Sequence, residues 1–148
     1  MTNEETVRDY VRAVVELDRP TEERLRHAGW TAEWPQSGEH VIGSANYRAI
    51  QDAYPGGAPK IELERVTGSE DRWSISPSNT VVRVVGSGEF WWAEFRMTYP
   101  DGVDYHCVTL VELRDGLIHR EVVYWAPPFD APDWRARWVK RAEEATVR

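Results

Sequence analysis

The sequence predicts an α+β domain: a curved, mainly antiparallel sheet forming a cone, closed by N-terminal helices and followed by a C-terminal helix. Three features point to it. Helical periodicity is concentrated near the N-terminus, β-type alternation fills most of the remaining chain, and residues 89–125 read as three consecutive strands joined by two Asp-Gly turns. The 148 residues suit one domain, 1–148, large enough to bury a core without disulfides or metal.

The N-terminal elements are helical. Val7, Tyr10, Val11, Val14, Val15 and Leu17 recur at helical spacing over 4–18, and Asn3 ahead of Glu4 and Glu5 suits a capped N-terminus. Residues 21–27 form a second short helix entered through Pro20, and 30–34 a strand stopped by Pro35. Val41 and Ile42 form a brief strand ending at Gly43. Ser44 caps a third helix over 45–53, which Pro55-Gly56-Gly57 ends. Residues 60–67 alternate imperfectly, as a strand with a bulge, and the Val-Val-Arg-Val-Val run at 81–85 is strongly β-forming. The three-strand meander is next, Pro127-Pro128 breaks it, and 131–146 forms a terminal helix with Trp134 and Trp138 on its packing stripe.

Composition narrows the function. A net charge of −7 argues against nucleic acid and anionic membranes as partners. No basic-then-apolar leader and no apolar run near the roughly 20 residues of a membrane span is present, so the cytoplasm is the expected location. Cys107 is the one cysteine and reads as a small buried hydrophobe. His27, His40 and His119 show no metal-ligand spacing, so neither metal nor other cofactor is expected. Eight tryptophans suit an apolar cavity or a sizeable interface.

The turns decide which side chains share a face. A two-residue turn at Asp101-Gly102 pairs Arg96 with Cys107, Glu94 with Thr109 and Thr98 with Tyr105. A glycine-bulge turn at Asp115-Gly116 pairs Leu113 with Leu117, so Thr109 faces Glu121 and Tyr105 faces Trp125. Trp92, Glu94, Arg96, Tyr105, Thr109, Glu121 and Trp125 then lie together, while Trp91, Phe95, Met97, Val108, Leu110, Val122 and Tyr124 form the other face. A turn without the bulge would move Glu121 across, and the second face, being more apolar, is the alternative core.

Several stretches resemble the SnoaL-like polyketide cyclases of the nuclear-transport-factor-2-like superfamily. They are Trp34-Pro35-Gln36-Ser37-Gly38-Glu39, Gly43 at the third helix, Leu113-Arg114-Asp115-Gly116-Leu117-Ile118 and Glu121-Val122-Val123-Tyr124-Trp125; the element order extends the resemblance over the whole chain. The resemblance implies a cone of curved sheet with a deep internal pocket, homodimers paired through the sheet, and inward positions at Glu121, Val123 and Trp125. It does not carry over a reaction. Val123 stands where epoxide-hydrolase-like members have an acid, Arg96 and Glu94 match their arginine and aspartate only in reversed order, and the ketosteroid-isomerase oxyanion acid has no counterpart near Val108 or Thr109.

From these residues a cofactor-free enzyme is expected, moving protons on a hydrophobic carbonyl or polyketide-like substrate, as a cyclase, isomerase or dehydratase does. Glu121 is the candidate general base, because a carboxylate among indoles is poorly solvated. Arg96, Glu94 and Tyr105 complete the catalytic set, with Arg96 and Tyr105 holding a developing oxyanion. Trp34, Tyr47, Trp92, Thr109, Val123 and Trp125 are expected to line the ligand site. Against this stand a structural Glu121–Arg96 ion pair, a non-catalytic binding module or dimeric scaffold, and epoxide hydrolysis with Glu94, Arg96 and Glu121 around a water.

Overall fold

A computed structural model describes residues 1–68, the backbone of 73–75 and 81–83, and residues 88–142. Helix α1 spans Asn3–Glu16, α2 Arg19–Leu25 and α3 Ser44–Asp52. The strands are β1 Arg26–Trp34, β2 Glu39–Ile42, β3 Lys60–Gly68, β4 Trp73–Ile75, β5 Val81–Arg83, β6 Phe90–Thr98, β7 Asp104–Arg114 and β8 Leu117–Ala126. Six of them build one curved sheet in the order β2-β1-β8-β7-β6-β3, and β4 pairs with β5 apart from it. All pairings in the large sheet are antiparallel except β1 with β8, which run parallel. The expected α+β architecture is the one observed.

The helices start and stop for local reasons. Thr2, one residue earlier than the expected cap, accepts from the Glu5 N–H at 3.1 Å while Glu5 accepts from the Thr2 N–H at 2.7 Å, a reciprocal capping box. Helix α2 ends at Leu25, two residues short of expectation, because Arg26 already has extended backbone and begins β1. Helix α3 starts after Gly43 with no side-chain cap, so Ser44 is its first residue rather than its cap.

One face of the sheet is closed by α1, and Val7, Tyr10 and Val11 pack there with Leu25, Trp30, Ala32, Trp91, Ala93, Phe95, Cys107 and Val111. Trp91 is fully buried and lies so close over Gly68 that a Cβ there would fall 2.6 Å from its ring. A side chain at that position would force the indole out of the core.

The two hairpins reverse the expected turn geometries. In Tyr99-Pro100-Asp101-Gly102 the Gly102 N–H donates to the Tyr99 carbonyl at 2.9 Å, and the Tyr99 N–H donates to the Val103 carbonyl at 3.1 Å. Pro100 at the second position of that turn, with Gly102 at φ 83°, makes a three-residue loop. Arg96 therefore pairs with His106 and Glu94 with Val108, one residue from the expected register. At the second hairpin Asp115 (φ 53°) and Gly116 (φ 74°) form a two-residue turn, and Arg114 pairs with Leu117. A bulge at His119, between the Leu113–Ile118 and Glu112–Arg120 pairs, then restores the alternation that turns Glu121 inward.

The C-terminal segment also departs from expectation. Where the pattern predicts one helix over 131–146, only Asp133–Trp138 coil among the described residues, as a short 3₁₀ turn; 143–146 lie outside the described residues, as do 84 and 85 of the strand expected over 81–85. Trp134 and Trp138 are 73% and 64% exposed, so they form no packing stripe. Arg135 and Arg137 stack on these rings instead, 5.9 and 3.9 Å from the centroids.

Candidate functional site

Between the helices and the inner face of the sheet lies a cavity of about 330 Å³. Strand alternation supplies most of its wall: Ala93, Phe95 and Met97 from β6, Tyr105, Cys107 and Thr109 from β7, and Glu121, Val123 and Trp125 from β8. Trp34 of β1 and Tyr47 of α3 complete it, and the half-exposed Leu17, Ile50 and Tyr54 stand where it meets solvent.

Of the expected site residues, Glu121, Tyr105, Trp34, Tyr47, Thr109, Val123 and Trp125 meet at this cavity. Trp92, Glu94 and Arg96 do not. The three-residue loop at Pro100 shifts β6 by one residue relative to β7, and a shift of one sends each side chain to the opposite face. On that outer face Glu94 is salt-bridged to Arg65, and Arg96 donates to Asp104 at 3.0 Å. Two of the alternatives, the structural Glu121–Arg96 pair and the Glu94–Arg96–Glu121 cluster around one water, are therefore both absent, their members lying on opposite faces of the sheet.

In their place the wall holds a polar chain that crosses five elements, β8, α1, β1, α2 and α3. Glu121, 7% exposed, accepts at Oε2 from the Tyr10 hydroxyl (2.8 Å) and the Trp30 indole N–H (2.7 Å). The Tyr10 oxygen accepts in turn from Arg26 Nε at 2.8 Å. Arg26 Nη2 donates to Glu22 Oε2 at 3.1 Å, and Nη1 reaches Ser44 Oγ at 3.4 Å. The guanidinium lies 4.0 Å from the centroid of Trp30 and 4.9 Å from that of Tyr47. Aromatic faces thus solvate a cation that water scarcely reaches. Glu121 Oε1 takes no hydrogen bond from any described residue.

Two carboxyls share one guanidinium here, and the site's electrostatics follow from that imbalance. Burial pushes the Glu121 carboxyl above its ordinary value, although Arg26 and the hydrogen bonds from Tyr10 and Trp30 pull it down. Burial likewise lifts Glu22 to about 7 against the pull of Arg26, and the nearby Glu121 adds to the rise. The Tyr10 hydroxyl is raised by burial and then by Glu121, so it stays a donor. Cys107, on the same wall, is pushed up to about 11 by burial and remains a thiol.

Tyr10, Glu22, Arg26 and Trp30 are not singled out by sequence pattern. Periodicity assigns Arg26 to a helix, where its side chain has no reason to face the sheet. Tyr10 reads as one more apolar residue of α1, although a buried tyrosine brings a hydroxyl that needs a partner. Glu22 and Arg26 stand four apart, a spacing that usually marks a solvated pair; here both are buried, with side chains 3% and 4% exposed.

No protein-family model and no curated protein matches the chain. Solved structures do. An NTF-2 like protein of unknown function from Burkholderia xenovorans LB400 superposes with a TM-score of 0.71 at 26% identity, over 95% of each chain. A proposed ketosteroid isomerase from Kribbella flavida DSM 17836 gives 0.73 at 20% identity, covering 97% of this chain and 91% of its own. A proposed SnoaL-like polyketide cyclase from Jannaschia sp. CCS1 gives 0.59 at 17% identity, covering 82% and 86%. The expected resemblance is matched in three dimensions: the chain has the nuclear-transport-factor-2-like fold, which the proposed SnoaL-like cyclase shares.

Proposed function

We propose that the cavity binds a neutral, hydrophobic small molecule and that Glu121 performs acid/base proton transfer on it without a cofactor, as a cyclase, isomerase or dehydratase of carbonyl compounds does. The supporting observation is the division of labour within one carboxyl. Oε2 is held by two donors, while Oε1 is left for a ligand in a wall where burial has already raised its affinity for protons. A volume near 330 Å³ falls at the lower end of the roughly 300–1,000 Å³ typical of ligand pockets. A second carboxyl beside a single paired arginine disfavours anionic ligands.

In the proposed step a C–H bond next to the substrate carbonyl breaks and its proton bonds to Oε1. The electron pair moves onto the carbonyl oxygen as an enolate. Thr109, two residues along the neighbouring strand from the partner of Glu121, supplies a hydroxyl donor for that oxygen. Tyr105 stands six residues along that strand from the same partner, against Tyr99, and lines the cavity away from the reacting atoms. The proton returns to carbon or oxygen as the product forms. Arg96 and Glu94 have no part in this scheme. A homodimer through the outer sheet face, where Tyr124 is 44% exposed, belongs to the same reading.

The bicyclic ketone β-tetralone in D₂O is a direct probe. Proton NMR should show wild-type protein exchanging its α-protons, and Glu121→Gln slowing that exchange at least about 100-fold with the fold unchanged. Equal rates would overturn the assignment. Non-catalytic ligand binding is the second reading, favoured by Arg26 being fully engaged with Tyr10, Glu22 and Ser44 and so not free to hold an enolate. It predicts that β-tetralone quenches tryptophan fluorescence with no exchange.

A further inference from the structure

The side chains behind Glu121 form a directional chain that the proposed step does not use. Tyr10 and Trp30 both donate to Oε2, from α1 and β1, so the carboxyl is gripped from two elements on one side. Tyr10 has a single proton to donate, and Arg26 Nε occupies its oxygen as a donor, so that proton must point at Glu121. Arg26 is in turn held by Glu22 on α2.

We propose that Tyr10 and Trp30 are positioning residues that tie down one oxygen of Glu121 and leave the other for the ligand, and that Arg26 and Glu22 act on Glu121 through Tyr10. This rests on the reading of Glu121 as the working acid. It adds that Glu22 and Glu121 exchange protons with solvent as one coupled unit, although no hydrogen bond joins them. The titratable groups facing Glu121 are Tyr10 from α1, Glu22 from α2, Arg26 from β1, Tyr47 from α3 and Cys107 from β7. Tyr47 is raised by burial, and Cys107 by burial to about 11. Both therefore stay neutral over the range in which the acids titrate.

Opposite signs make the proposal testable. Losing the Tyr10 hydroxyl removes a donor that favours the ionised carboxylate, so Tyr10→Phe should shift the Glu121 transition upward by about one to two pH units, as loss of a hydrogen bond to a charged group implies. Trp30→Phe should shift it the same way. Glu22→Gln removes a like charge at the far end of the chain and should shift it downward, with one transition where the wild type has two.

The measurement is a pH titration of the carboxyl band by infrared difference spectroscopy on full-length, folded protein, with Glu121→Gln identifying the band and circular dichroism checking each variant. Should Tyr10→Phe fail to fold, Trp30→Phe and Glu22→Gln carry the test. Shifts of opposite sign support the chain. Shifts of the same sign, or a Glu121 transition indifferent to Glu22, overturn it. The titration needs no ligand, so it fails or succeeds separately from β-tetralone exchange.

Discussion

The two faces of the β6–β7–β8 meander carry the same kinds of charged residue under opposite physics. On the outer face Glu94 is bonded to Arg65, and Asp104 takes hydrogen bonds from Thr98 and Arg96; these bonds hold both carboxyls below their ordinary values. On the inner face Glu121 and Glu22 are cut off from water and share Arg26, and both are pushed up. An outer acid is stabilised as an anion by a partner of its own. An inner acid gives up its proton only at higher pH, because one guanidinium cannot satisfy two carboxylates out of water. The difference separates acids ion-paired at the surface from acids whose burial raises their affinity for protons.

The largest expected effect breaks the inner set at its centre. Arg26→Met leaves two buried carboxyls without a cation and should cost about 3–5 kcal/mol in urea unfolding at pH 7. At pH 5, where both acids more readily take up protons, the loss should shrink. The same cost at both pH values would mean that packing of the Arg26 stem, rather than charge, holds the inner set.

The next effect is the pH slope of stability. Glu22, ordinarily near 4.5, sits at about 7 in the folded chain, so folding favours its protonated form. Its contribution is complete below pH 4.5 and is lost as pH rises to about 7, an effect on the order of a few kcal/mol. Glu22→Gln should flatten that loss. The outer acids act with the opposite sign: the stability from Glu94 and Asp104 is present above their unfolded values and is lost as pH falls through their lowered ones. Asp104→Asn should therefore flatten only the acid-side loss. Unfolding midpoints across pH 3–8 for the two variants separate the faces.

The smallest effects should come from Glu94→Gln and Arg96→Met. Both residues lie at the solvent-facing side of the sheet, and exposed ion pairs contribute little. Neither variant should alter β-tetralone exchange or tryptophan quenching measurably; a clear loss in either assay would place the outer face in the site.

Much of this arrangement is legible in the sequence, and the departures have identifiable causes. Periodicities of 3.6 and 2 give the element order, because packing here follows pattern. Glu121, Val123 and Trp125 are legible as inward positions of the last strand. Glu94 and Arg96 are misplaced by one residue of register. Pro100 ahead of Asp101-Gly102 is the signal for the longer loop, since proline favours the second position of such a turn. The two-residue turn at Asp115-Gly116 and the bulge at His119 cancel in their effect on Glu121, so its facing is as expected although the turn is not. Tyr10 and Trp30 touch Glu121 from 111 and 91 residues away, and the hydrogen bonds of Arg26 and Glu22 lead to it by way of Tyr10. Local pattern carries no information about such contacts.

The contrast between the faces depends on Glu121 releasing its proton at higher pH than the outer acids do. Infrared difference titration of the wild type against Glu121→Gln and Glu94→Gln measures that contrast. The protonated band missing from Glu121→Gln should persist above 4.5, the ordinary glutamate value, while the band missing from Glu94→Gln should disappear below it. Two bands that titrate together near that ordinary value would contradict the assignment of Glu121 as the working acid.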